Sequence, residues 1–156
     1  MESRSEARAE TEVIGIEVRT INREEMDPAT ARIGGLWERY FGDDVAARVP
    51  NRKPGGALLA VYTRYESDHT GAYSLIVGPE VTSLAVIPEG MTGTTVPAGR
   101  YRVFEARGPM PKALIDTWAA IWSYFPTAAG EERAFNTDYE IHLEGGGGAD
   151  ICIAVR

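Results

Sequence analysis

Residues 33–42 read Ile33-Gly34-Gly35-Leu36-Trp37-Glu38-Arg39-Tyr40-Phe41-Gly42, and a later stretch, Ile121-Trp122-Ser123-Tyr124-Phe125, echoes their centre. Ile33, Leu36, Trp37 and Tyr40 fall at spacings of three and four, which draws one apolar stripe along a helix. Leu114, Trp118, Ile121, Trp122 and Phe125 draw a second. Two runs of strand-forming residues follow each helix. Behind the first come residues 57–65 and 72–81, with a turn at 66–71 between them; behind the second come 138–143 and 149–155, joined by Gly145–Gly148. β-Branched and aromatic residues fill these runs and turn residues bound them, so each pair reads as a hairpin. Ahead of the first helix, Ile14, Ile16 and Val18 alternate with Gly15, Glu17 and Arg19, the period of a half-buried strand. Ahead of the second, residues 94–106 read as a strand kinked at Pro97-Ala98-Gly99.

The order strand, helix, strand, strand therefore occurs twice, over residues 12–87 and 94–156. Two such units can bury their helices on one composite antiparallel sheet, which predicts an α+β fold with a pseudo-two-fold axis. The seam between the copies is then the natural place for a ligand cleft. Asp27-Pro28 suits a helix start, because Asp can accept from free amides and Pro fits the first helical position. Gly108-Pro109-Met110-Pro111 opens the second helix and Pro126 stops it. Residues 1–11, with no apolar periodicity, are expected to form a flexible tail ahead of a single domain at 12–156.

With 156 residues, 44% hydrophobic and 25% charged, the chain has the makings of one globular domain. No run approaches the ~20 apolar residues of a membrane span. A single cysteine, Cys152, excludes an internal disulfide and fits a reducing cytoplasm; its alternating surroundings predict a packed thiol. A net charge of −7 argues against direct contact with nucleic acid, whose phosphates need a concentrated positive surface. His69 and His142 have no partners at metal-ligand spacing, so no metal or other cofactor is expected. The glycine run at 145–148 lacks the lysine and following helix of a phosphate loop. Neither a Gly-x-Ser-x-Gly elbow nor a Cys–His pairing is present, which sets acyl transfer aside.

Aromatic residues are the chemistry that remains. Trp37, Trp118 and Trp122 fall on helices; Tyr62, Tyr65, Tyr73, Tyr101, Phe104 and Tyr139 fall on strands. Each by itself is explained as core. Glu140 is not so easily absorbed, since glutamate is depleted in strands and this one stands inside Tyr139-Glu140-Ile141-His142-Leu143. It either faces water or lies at the floor of an aromatic cleft, where an unpaired carboxylate recruits a cation or a proton. His142 reads as a structural residue. A cation in contact with such a carboxylate gains about 4 kcal/mol at an effective dielectric near 20, and each well-placed ring adds about 0.5–2 kcal/mol.

Set in order, the motifs resemble those of the GyrI-like, or AraC-type effector-binding, domains, the ligand-domain fold of multidrug-responsive bacterial regulators. The matching pieces are Leu36-Trp37-x-x-Tyr40-Phe41, the run Ala60-Val61-Tyr62-Thr63-Arg64-Tyr65-Glu66-Ser67-Asp68, Gly71-Ala72-Tyr73 and Val77-Gly78-x-x-Val81. They continue with Val96-Pro97-Ala98-Gly99-Arg100-Tyr101-Arg102-Val103-Phe104, Trp118-x-x-Ile121-Trp122 and Asp138-Tyr139-Glu140. The resemblance covers residues 12–156 and departs over 125–137, a segment that could rim the cleft. It implies a duplicated strand–helix–strand–strand fold with the cleft between halves. It also implies that Glu140 pairs with a hydrophobic, cationic small molecule among aromatic walls; Trp37, Tyr65, Tyr101, Trp118 and Trp122 are the residues expected there. A stand-alone binding domain is the leading expectation. Some relatives are hydrolases of cyclopropane-type electrophiles, which would make Glu140 an acid or base, and others are modules that bind a protein partner.

Overall fold

The computed structural model describes residues 2–127 and 130–156; Met1, and Ala128 and Ala129 of the 125–137 loop, lie outside the described residues. Along the chain come β1 (Ser3–Arg8), β2 (Thr11–Ile21), α1 (Asn22–Glu25), α2 (Ile33–Gly42), α3 (Val45–Arg48), β3 (Leu58–Thr63) and β4 (Ala72–Val81). They are followed by β5 (Thr92–Val96), β6 (Gly99–Arg107), α4 (Lys112–Tyr124), β7 (Thr137–His142) and β8 (Gly148–Ala154). Eight strands form one antiparallel sheet in the order β1-β6-β8-β7-β3-β4-β2-β5. The copies β2-α2-β3-β4 and β6-α4-β7-β8 lie to either side of the β3–β7 pair, where Ala60 stands opposite Glu140. The α+β duplication read from the sequence is the fold.

Each copy has one strand more than the sequence pattern suggested. Residues 3–8, expected as part of a flexible tail, are β1 and pair with β6, Glu6 opposite Tyr101. The expected kinked strand at 94–106 is two strands, because Pro97-Ala98 ends β5 before β6 begins. The two extra strands are exchanged: β1 leads into β2 yet pairs with β6, while β5 leads into β6 yet pairs with β2. Each copy thus lends its first strand to the other. The helix expected to begin at Asp27 is α2, which starts later, at Ile33. That aspartate accepts the Ala29 amide (2.9 Å) in a turn. The amides of Arg32 and Ile33 at the start of α2 instead donate to Glu25 (2.9 and 3.1 Å), as favourable a place for negative charge as a local cap.

Two faces of the sheet carry different cores. On one, Val13, Val61, Ile76, Val96, Tyr101, Val103, Tyr139 and Cys152 pack together with no helix between them. This is possible because the sheet curls: β5, at one end of the strand order, touches β7, four places away. Burial there pushes the Cys152 thiol up to about 12, which suits a packing role. The opposite face is covered in two places. Leu36 and Tyr40 of α2 pack on Ile14, Ala60, Leu75 and Val77, while Ile121 of α4 packs on Phe104, Ala106, Ile151 and Ile153. The strip of β3 and β7 between the helices is the seam. Among the described residues no helix is long and apolar enough to cross a membrane.

β2 and β4 approach each other closely at two glycines. A Cβ on Gly15 would lie 1.9 Å from the Val77 carbonyl oxygen, and one on Gly78 would lie 2.1 Å from that of Ile14. These neighbours are backbone in two paired strands, so neither can move alone. Gly15→Val is expected to lower stability by about 3 kcal/mol or more, the upper part of the range for overpacking. Chemical denaturation measures it; a loss below about 1 kcal/mol would mean the strands can separate cheaply here.

Candidate functional site

Glu140 lies at the centre of the seam, flanked by Ala60 of β3 and Ile151 of β8, and none of it is exposed. Alternation along β7 sends Glu140 to the helix-covered face and Tyr139 to the other. Its carboxylate is held from both copies. The Tyr62 hydroxyl donates to Oε2 at 2.7 Å, and the Trp118 indole N–H, brought down by α4, donates to the same oxygen at 2.7 Å. His142 Nε2 lies 2.8 Å from Oε1. The Tyr62 phenol is pushed well above its ordinary range by burial first and by the Glu140 charge second, so it stays a donor. Burial does the same to Tyr73, with Glu25 and Glu140 adding to it.

Rings surround this carboxylate. Trp118 and Tyr62 have centroids 5.1 Å apart, Tyr62 and Tyr73 5.7 Å, and Tyr73 and Tyr65 6.0 Å. On the other side, Trp37 of α2 lies 4.9 Å from the His142 ring and stacks on the exposed Phe41 at 5.9 Å. The carboxylate is thus buried with aromatic side chains on two sides of it.

A second carboxylate stands two residues earlier on the same strand. Asp138, also fully buried, accepts from the Tyr65 hydroxyl (2.6 Å), Arg133 Nη2 (2.7 Å) and the Ala154 amide (2.8 Å). The Arg133 guanidinium lies 4.3 Å from the centroid of Phe135 and 6.0 Å from that of Tyr65. Asp138 therefore already holds a cation in an aromatic setting, supplied by the chain itself.

Of the residues expected at the cleft, Glu140 and Trp118 meet directly, and Trp37 joins them through His142. Tyr65 belongs first to Asp138 and reaches Glu140 only through Tyr73 and Tyr62. Tyr101 does not belong there. It lies on the opposite face of the sheet against Tyr139 (5.3 Å), with its hydroxyl donating to Pro97 O at 2.5 Å and its phenol pushed up to about 12, chiefly by burial. Trp122 is also turned away. With Ile121, Phe125, Arg133 and Phe135 it lines an open cavity of about 620 Å³ beyond the end of α4, partly walled by the 125–137 segment. Tyr62, Tyr73 and His142 complete the site; His142, two residues after Glu140, could have been assigned to its face by strand alternation alone. Among the described residues no group of three His, Cys, Asp or Glu is placed to hold a metal ion.

Comparison with known proteins follows the same lines. The sequence model of the family described as Cass2, integron-associated effector binding protein, matches residues 6–155. The integron cassette protein VCH_CASS2, from the mobile metagenome of Vibrio cholerae, superposes with a TM-score of 0.82 at 37% identity, over 99% of this chain and 95% of that one. SAV2435, solved bound to tetraphenylphosphonium, shares the fold with a TM-score of 0.79 at 20% identity, over 100% of this chain and 94% of that one. A candidate transcriptional regulator of Bacillus subtilis, YobU, is 29% identical over 129 residues, 82% of this chain and 78% of that protein.

Proposed function

This chain belongs to the Cass2 family of integron-associated effector binding proteins, and from that premise we propose that its small-molecule ligand is a hydrophobic organic cation held at Glu140. The observation that carries the reading is the contrast between two neighbouring carboxylates. Asp138 has Arg133 as a permanent partner. Glu140, just as buried, has a phenol, an indole and an imidazole, and among the described residues no arginine or lysine pairs with it. A buried carboxylate without a fixed counter-ion is a place where an incoming positive charge is stabilised most. Trp37, Trp118, Tyr62 and Tyr73 supply faces for the apolar part of such a ligand. The tetraphenylphosphonium held by SAV2435, which shares this fold, is a ligand of that chemistry.

The test is a titration followed by tryptophan fluorescence, since Trp118 and Trp37 are both part of the site. Tetraphenylphosphonium is expected to bind saturably, and the neutral triphenylphosphine oxide at least about tenfold more weakly, a difference of about 1.4 kcal/mol. Equal affinities would leave an apolar pocket and remove the cationic part of the reading.

A further inference from the structure

Among the described residues, His142 is the one side chain within salt-bridge distance of Glu140 that can carry a positive charge. Its Nε2 is 2.8 Å from Glu140 Oε1, its ring lies 4.9 Å from Trp37, and its side chain is 16% exposed. Tyr62 and Trp118 both use Oε2, so His142 is the side-chain partner of Oε1. A protonated imidazole there meets the two attractions that the site offers an organic cation: a carboxylate and an indole ring. The neighbours that strand register and ring contact place beside it carry no charge. Leu58 and Ala149 stand beside it on β3 and β8, and Trp37 comes from α2. Tyr62 and Tyr73, the further titratable groups around the carboxylate, are kept as neutral phenols by burial.

Resting on the reading of Glu140 as a cation site, we propose that His142 is an internal occupant of that site which the ligand displaces, so that binding is linked to release of a proton. A charged imidazole competes for Oε1, whereas a neutral one yields it. Acid conditions therefore favour the internal occupant and weaken the ligand, by at most about tenfold per pH unit for one competing proton.

Calorimetry of tetraphenylphosphonium binding at pH 6, in two buffers of different ionisation enthalpy, counts the protons released. The wild-type protein is expected to release a measurable fraction of a proton and to bind measurably more weakly at pH 5.5 than at pH 7.5. His142→Gln is expected to bind without proton release and with little change in affinity over that interval. His142→Phe, which keeps a ring against Trp37, provides the same comparison should the glutamine variant fold poorly. Proton release equal in wild type and variants, or absent from wild type, would overturn the inference and leave the cation site standing. No binding by any of the proteins at pH 8 would remove the cation site and the inference together.

Discussion

Glu140→Gln is expected to weaken tetraphenylphosphonium binding by at least about 30-fold while leaving the fold intact. Glutamine has the same outline, and its carbonyl oxygen can still accept from Tyr62 and Trp118, which hold Oε2 at 2.7 Å. What it lacks is the charge. Removing one partner of a buried, hydrogen-bonded charge pair costs about 2–5 kcal/mol, and the lower figure corresponds to about 30-fold in Kd. The gross attraction is larger, about 4 kcal/mol at contact, but the ligand must give up its hydration to reach a carboxylate with no exposed surface. Glu89→Gln, on the exposed loop ahead of β5, controls for net charge and is expected to change nothing. Equal loss in both variants would mean long-range attraction, and no loss in Glu140→Gln would take the counter-charge away from this residue.

The part of this site legible in the sequence is the part that rests on local pattern. Glu140 inside a strand, aromatic stripes on two helices and the repeated element order are all properties of short windows. Those windows also placed the hairpins correctly. Residues 3–8 are opaque because β1 is an edge strand whose side chains are exposed or only partly covered, so no apolar period marks it. Its pairing is a gift of the other copy, and exchange of strands leaves no trace in either window. Tyr101 fails for a related reason. It lies on the face opposite Glu140, but that follows only from the register of β6, β8 and β7, in which Val103 pairs with Cys152 and Cys152 with Tyr139. Trp122 shares a helix with Trp118, yet α4 turns it toward the cavity beyond its end. Alternation gives a side for each residue within one strand; it does not say which sides of two distant strands agree.

The largest effect on stability is expected from Asp138→Ala, a loss of about 3–5 kcal/mol, the cost of leaving one member of a buried ion pair behind. Arg133, 8% exposed, would keep its charge with no carboxylate, and its Nε already has no hydrogen-bond partner among the described residues. The Tyr65 hydroxyl and the Ala154 amide would lose their acceptor at the same time. A domain of this size has about 5–15 kcal/mol in total, so the variant stands near the edge of folding. Removing the charge from both partners distinguishes a damaging vacancy from a stabilising bridge. Asp138→Asn combined with Arg133→Met is expected to be more stable than Asp138→Ala by at least about 1 kcal/mol, because it leaves no buried charge uncompensated. Urea denaturation of the three proteins decides it; a double variant no better than Asp138→Ala would mean that the uncompensated charge on Arg133 is not what costs the stability. The comparison bears on function as well. Asp138 and Glu140 share one face of β7 at a spacing of two residues, and the first is satisfied by a resident arginine. Under the proposed function, the stability of the fold rests on Asp138, which leaves Glu140 for the ligand.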